Sequence, residues 1–549
     1  MRKQNVLSLL TATLLLMLCC TGCGKSDHPN AGSGHSFSYT LIGNPDTLDP
    51  QLAQNASAKT VLANLFEGLM VLAPDGSIQN GVAESYTVSE DGLHYVFHLR
   101  DNSYWYNAFQ DEKGFQEADK ISVTADDFVF AFQRLFDPVY ASPLREAFYC
   151  IQYAKYAADG WTSTRKIGVT ANSPYELEFT LDYPNDGFLM LLTTTAALPC
   201  NQAYFESTKG RYGLDENSVI GNGSFSVKRW LYDPYGQYNV IQMIRNPLNH
   251  AVHKVSPADL NLYIEETDSE AARIFTDGSA DCYVTTRNTV LQSADYTAQS
   301  AYSLTLGLLV NPETQYAEPN ILSAMNLTLD RSKLHFSGDD IMAASGILPP
   351  AVTLLNKSCR ELIADSAYQK YDPAEADRLY QKGLRKLKLS EPNEGRILCC
   401  AGMMDYTVLR QALDEWTSEL DIHFAIDEVP EQEYEERLAQ TDYDLALYAV
   451  TGPNWDASSV FSQILADEHF RCTQKDTIRT LLEQAAAAEN RTDCVEIYRK
   501  AEQAILEDHC FIPLFYKQRY LICKKGVADV AFNPFSGQVQ FADAKYFEQ

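Results

Sequence analysis

The chain has 549 residues, 45% of them hydrophobic and 11% aromatic, enough for two or three domains with substantial cores, so a disordered polypeptide is excluded. Its 73 acidic side chains against 44 basic ones leave a formal net charge of −29. Such a surface repels phosphate backbones and anionic headgroups, which argues against nucleic acid as a partner and against a basic membrane-docking face.

Arg2 and Lys3 open the chain and an apolar run follows from Val6 to Leu18, the pattern of an export signal. The run falls short of the about 20 apolar residues that a membrane-spanning helix needs. The next stretch, "LCCTGCGKSDHPN" (Leu18 to Asn30), admits three readings. A metal or redox pair, Cys20 and Cys23, lacks a second ligand pair at suitable spacing. A phosphate-binding loop ending in Gly24-Lys25-Ser26 needs a glycine where Cys19 stands, with a strand before it. The third reading is a lipoprotein signal, in which the small residues Thr21 and Gly22 precede Cys23 and this cysteine becomes the lipidated first residue of the mature chain. Cys20 takes the place where such signals usually carry leucine. Residues 1–22 are therefore expected to be a signal peptide and residues 23–36 a polar, lipid-anchored tether.

Tyr95, Phe97 and Leu99 alternate, and so do Tyr175, Leu177, Phe179 and Leu181 after the Ser173-Pro174 turn; both runs predict half-buried strands. Between them the spacing predicts a helix. Thr124 caps it, Asp127 completes a capping box and opposes the positive end of the helix dipole, and Phe128, Phe132 and Leu135 share one face. Toward the C-terminus Ile478, Leu481, Leu482 and Ala485 form one helical stripe. After a Thr492 cap, Val495, Tyr498, Ala501 and Ile505 form another, and both stripes read as core. There is no tandem repeat and no second segment long enough to span a membrane.

Beyond the signal region the cysteines are Cys150, Cys200, Cys282, Cys359, Cys399, Cys400, Cys472, Cys494, Cys510 and Cys523. Cys399 and Cys400 lie in the apolar run Ile397 to Ala401, where strand neighbours point to opposite faces. Small buried hydrophobes and the disulfides of an exported protein both remain open, and pairing is not readable from sequence. No H-E-x-x-H, G-x-S-x-G or Walker sequence occurs, and the ten histidines lack ligand spacing. The acid pairs Asp126-Asp127 and Glu265-Glu266 read as a helix start and solvated surface. The sequence is that of a non-enzyme with no cofactor and no metal site.

Ordered matches over nearly the whole chain identify a family. "PDTLDPQLAQNASAKTVLANLFEGLMVLAPDGSIQNGVAESYTVSEDGLHYVFHLRDNSYW" (Pro45 to Trp105) resembles the signature of the extracellular solute-binding proteins of the peptide and nickel group, which serve ABC importers. "TADDFVFAFQRLFDPVYASP" (Thr124 to Pro143) is similar to the oligopeptide branch more than to the dipeptide or nickel branches. "GNGSFSVKRW" (Gly221 to Trp230), "MIRNP" (Met243 to Pro247), "IFTDGSADC" (Ile274 to Cys282), "TLDRSKL", "YDPAEADRLY" and "CFIPLFYKQRY" continue the pattern.

The resemblance implies an α/β, periplasmic-binding-protein-like clamshell of type II with three domains: two α/β lobes joined by a two-crossing hinge, near 306 and 514, plus an extra domain. Domain I is expected from 37–66, 199–306 and 514–549, domain II from 67–198 and domain III from 307–513. The implied function is a lipid-anchored, extracytoplasmic and monomeric receptor that captures oligopeptides and delivers them to the permease subunits of an ABC transporter. Another cargo (a dipeptide, a modified peptide, nickel or a haem-type solute) and a peptide-sensing role are the alternatives. The implied ligand contacts are Gln54, Asn55, Ala56 and Ser57 in one loop and Asn222, Gly223 and Phe225 in another. For the second loop a purely structural role has equal weight. In a third loop, "VTGPNWDASS", the family's Trp and its amine-pairing Asp align with Val450 and Pro453. The contacts left there are Thr451, Gly452, Asn454, Trp455 and Asp456. Asp456 either replaces the missing amine anchor or caps a turn or helix, and Trp455 either stacks on ligand or fills the wall. The family's short turn after Trp105 is replaced by a longer polar segment reaching Lys120, read as a surface elaboration.

Overall fold

Two long strands, Tyr296–Val310 and Phe511–Lys524, run antiparallel through the middle of the molecule and tie its two halves together. The structure, a computed structural model, describes residues 34–547 except 74–75, 112–119, 186, 237, 288–294, 335, 337–339, 356, 364–369, 393, 453 and 489. The expected signal peptide, Cys23 and nearly all of the tether lie outside the described residues.

In chain order the elements used below are β1 (Ser36–Ile42), α1 (Ala56–Leu65), β2 (Ala83–Val88), β3 (His94–Leu99), α2 (Ala125–Leu135), β4 (Val169–Ser173) and β5 (Glu176–Thr180). Then come β6 (Phe225–Leu231), β7 (Val240–Arg245), β8 (Asp259–Glu265), β9 (Cys282–Thr285) and β10 (Tyr296–Val310). The remainder are β11 (Gly395–Cys400), α3 (Tyr406–Leu420), β12 (Phe424–Val429), β13 (Leu445–Val450), α4 (Ala457–Ala466), α5 (Lys475–Ala486), α6 (Asp493–Asp508) and β14 (Phe511–Lys524). The large sheet has the order β6-β7-β8-β1-β9-β14-β10-β13-β11-β12, and Ile341–Ala343 joins β14 as an eleventh strand. On one side β1 is parallel to β8 and β9; on the other β11 is parallel to β12 and β13. Each half is thus an α/β unit, and among the described residues only β10 and β14 belong to both. A separate antiparallel sheet, β2-β3-β5-β4, stands apart.

The apolar side chains divide accordingly. One core gathers Phe37, Leu62, Phe97, Phe128 and Leu262 with Leu521 and Cys523, drawing on the stretches expected for domains I and II alike. Two further cores take their side chains almost wholly from between 306 and 515, including Leu309, Leu398, Trp416 and Ile505. β14 contributes Phe511, Ile512 and Phe515 to these and its other end to the first core. Its ladder with β10 is irregular between Tyr302 and Leu304 and again between Leu306 and Gly307. There Gly307 faces Pro513, which has no N–H to donate. A Cβ on Gly307 would lie 2.4 Å from Ile512 O and from the Phe511 ring, so only glycine fits this close approach.

The local patterns gave the strands and helices they predict, with one exception at a cap. In β3 Tyr95, Phe97 and Leu99 are buried, and in β5 Leu177 and Phe179 are. Helix α2 begins after Thr124, whose N–H donates to Asp127 Oδ2 at 2.8 Å, and Phe128, Phe132 and Leu135 are fully buried. Burial pushes the Asp127 carboxyl up to about 6. Ile478 and Ala485 of α5, and Tyr498, Ala501 and Ile505 of α6, face the core. The cap of α6 is a correction: Thr492 is already helical (φ −63°, ψ −32°) and its side chain caps nothing, while Asn490 Oδ1 accepts the Thr492 N–H at 3.0 Å. Nine of the ten described cysteines are buried. Trp105 pairs with Ile121 across a two-residue ladder, which brackets the longer polar segment; its residues 112–119 lie outside the described residues.

Arg134 of α2 is fastened to the loop after β1. It is 2% exposed, donates from Nη1 to Asp49 Oδ1 at 3.1 Å and to Gln51 Oε1 at 2.9 Å, and pairs through Nη2 with Asp49 Oδ2. Its guanidinium carbon lies 4.0 Å from the centre of the Phe205 ring.

Candidate binding site

The site is built at the carboxyl ends of the parallel strands, where open α/β sheets bind ligands. β1 ends at Ile42 and β9 at Thr285 in one half, and β11 ends at Cys400 in the other. The ends of β1 and β9, Ala56 and Ser57 at the start of α1, Arg519 of β14 and Gly402 just past β11 line a cavity of about 260 Å³. Arg287 spans it, donating from Nη2 to Gly402 O at 2.7 Å while lying 3.9 Å from Asp268. The two halves therefore meet across this cavity.

The loop before α1 is held by its own side chains. Asn55 is the helix cap: its Oδ1 accepts the Ala58 N–H at 2.7 Å, and its Nδ2 donates to Asn44 O at 2.9 Å. Ser57 Oγ donates to Ile42 O at 2.8 Å, and the exposed Gln54 is fixed through its backbone N–H to Asp46 at 3.0 Å. The Asn55 and Ser57 side chains are spent on the loop, so what they leave to the wall is backbone beside the Ala56 methyl, while the Gln54 side chain stays exposed.

A turn at residues 533–537 links this loop to the one at 451–456. Its Gly537 has φ +76°, and a Cβ there would lie 3.8 Å from that of Ala56. Phe535 packs against Trp455 with ring centres 5.5 Å apart, and Thr451 Oγ1 donates to Phe535 O at 3.3 Å and to Ser303 O at 3.0 Å. Arg519 braces the turn, donating to Pro534 O at 2.9 Å and also to Phe535 O. Burial lowers the Arg519 guanidinium to about 10, and only Tyr39 opposes that. Sequence reasoning missed this turn, although Asn533-Pro534 followed by Gly537 is a turn signal.

In the third loop Gly452 is hemmed in: a Cβ would meet Ser459 Oγ and Val460 Cγ2 at 2.9 Å. Asn454 is buried, and its Oδ1 accepts the Asp456 N–H at 2.9 Å. Asp456 caps α4, its Oδ2 accepting the Ser458 N–H at 3.0 Å and the Ser458 hydroxyl; Arg491 stands 3.8 Å from Oδ1. Beyond it opens a second cavity of about 560 Å³, lined by Lys59, Arg145, Tyr183, Asp456, Glu483 and Arg491 among others.

Asn222, Gly223 and Phe225 lie elsewhere. Asn222 is 1% exposed, accepts the Glu67 N–H at 3.0 Å and donates to Glu67 O at 2.9 Å. The Gly223 N–H donates to Leu65 O at 2.8 Å, and a Cβ there would come within 2.7 Å of the Leu65 and Phe66 backbone. Phe225 is fully buried. This turn seals the far end of α1 and lines neither cavity. Asn222→Ala, which strands both backbone groups of Glu67, is expected to cost about 2 to 3 kcal/mol; urea denaturation against the parent chain checks it.

The sequence profile of the bacterial extracellular solute-binding proteins, family 5 (middle region), matches residues 77–471. The chain belongs to this family. Among relatives of this family-5 protein, the oligopeptide-binding protein OppA of Bacillus subtilis is 22% identical over 98% of this chain and 99% of its own. Two solved structures share the fold. Haemophilus influenzae OppA in complex with RPPGFSPFR gives a TM-score of 0.77 at 20% identity, covering 94% of this chain and 100% of that one. Listeria monocytogenes OppA bound to peptide gives 0.75 at 19% with the same coverage. The family-5 chain is thus a type II clamshell, with its candidate site between the halves.

Proposed function

We propose that this protein is an extracytoplasmic receptor that captures oligopeptides between its lobes and passes them to the permease of an ABC importer. The observation that carries this reading is the wall of the cleft: the side chains of Asn55, Ser57, Thr451, Asp456 and Asn533 are already bonded to the protein itself, and much of the surface they leave is backbone and apolar. Such a wall favours an extended chain held through its own repeating amides, whatever its sequence. The division into domains I, II and III, lipidation at Cys23 and a monomeric state complete the proposal. Among the described residues no helix is long and apolar enough to cross a membrane. Closure is a population shift driven by tighter binding to the closed form. Asp456, compensated by the Ser458 amide and hydroxyl and by Arg491, is assigned to the cap, so the ligand's amine is met elsewhere.

Native mass spectrometry of the protein purified without denaturation tests the reading. A ladder of added masses that sequence as peptides is expected. A single non-peptide mass would overturn the cargo and leave the fold.

A further inference from the structure

Four of the ten described cysteines sit at the two ends of one strand. Cys510 immediately precedes β14 and Cys523 is its penultimate residue. At the first end the sulfurs of Cys472 and Cys510 and a carboxylate oxygen of Asp508 all lie within 4.8 Å of one another. At the other end Cys523 lies directly opposite Cys282 of β9. The Lys524 N–H donates to Asp281 O at 2.9 Å, so 281 and 524 form the bonded pair and 282 and 523 the adjacent non-bonded one. In such pairs the Cα atoms stand about 4.5 Å apart, inside the span of about 4.4–6.8 Å that a disulfide bridges.

We propose that this protein carries two disulfides, Cys472–Cys510 and Cys282–Cys523, which staple the crossing strand β14 to one lobe at each end. The proposal needs only that the chain resides outside the cytoplasm, as its family does, where thiols oxidise. Each bridge forms when one cysteine thiolate attacks a disulfide oxidant, a mixed disulfide results, and the second cysteine displaces it. Two protons and two electrons leave the pair, and the oxidant departs as two thiols. Cys472 is suited to the first attack, since the hydrogen bond from Cys510 holds its thiol below the ordinary range. Cys282 and Cys523 are 0% and 5% exposed, so their bridge must close before the sheet packs.

A metal fits the first cluster less well. The Asp508 carboxylate already accepts the Thr473 N–H at 3.0 Å and the Thr473 hydroxyl, and among the described residues the group offers three ligands where a structural zinc takes four. Neither bridge joins the two lobes, so closure about the middle of β14 stays free.

The test uses the full chain, expressed with its own leader and purified without reductant. Thiols are blocked with N-ethylmaleimide under denaturing conditions, and an unreduced digest is analysed by mass spectrometry. Two linked peptide pairs, 472 with 510 and 282 with 523, are expected. Maleimide on all four cysteines, a different pairing, one pair without the other, or a metal ion bound with Cys472 and Cys510 labelled overturns the proposal. Reduction should lower the melting midpoint by roughly 5–10 °C, and the C472S/C510S double variant should lose about half of that shift. A midpoint insensitive to reduction in both proteins also overturns it.

Discussion

Arg134→Met is expected to cost about 3–5 kcal/mol of stability, read as a lowered urea midpoint at unchanged slope. Methionine nearly fills the volume, so the loss is electrostatic. Asp49 is 3% exposed, and without the guanidinium its carboxylate keeps its burial and loses the partner that compensates it, while Gln51 loses its bond at 2.9 Å. Removing both charges tests this account: in the Arg134→Met, Asp49→Leu double variant much of the loss should return, because a buried pair replaced by apolar groups is often neutral. A single variant within 1 kcal/mol of the parent would contradict the burial argument.

Arg519→Met is expected to weaken peptide binding by tenfold to a hundredfold, measured by calorimetry with a peptide recovered from the native protein. The guanidinium holds the Pro534 and Phe535 carbonyls, and hydrogen bonds to charged groups contribute about 1.5–3 kcal/mol. Without them the 533–537 turn is free to leave Ala56 and Trp455, and the wall between the two loops loses its shape. Arg519→Lys, which keeps a charge but lacks the fork of donors, should fall between methionine and the parent. If the methionine variant bound peptide as tightly as the parent while melting at a lower temperature, the turn would belong to stability alone.

The parts legible in the sequence were those governed by neighbours along the chain. The alternation of Tyr95, Phe97 and Leu99 and the Thr124–Asp127 box carry their own geometry, and each became the element it predicts. Thr492 failed at the same scale because Asn490, two residues away, competes for the same task. Long-range partners were out of reach. Nothing near Asn222 indicates that its amide will clasp Glu67, 155 residues earlier. Likewise nothing near Phe535 announces that its ring will pack on Trp455 and its carbonyl will accept from Thr451 and Arg519. The cap at Asp456 was readable in principle, since Asp456-Ala457-Ser458-Ser459 is a helix start, but the family's amine-binding loop suggested a second role for the same carboxylate.

The irregular stretch of the β10–β14 ladder bears on how this molecule spends energy when it moves. At Tyr302/Leu304 and Leu306/Gly307 the two strands do not keep step, and Pro513 withholds a hydrogen bond. On either side the ladder is regular and rooted in apolar cores. A twist applied to one half is therefore taken up over a few peptide units, as in a torsion bar thinned at its waist. In the closure proposed above, opening would ask little of the cores, and the work recovered when a solute is enclosed would be left for holding the solute rather than for bending the frame.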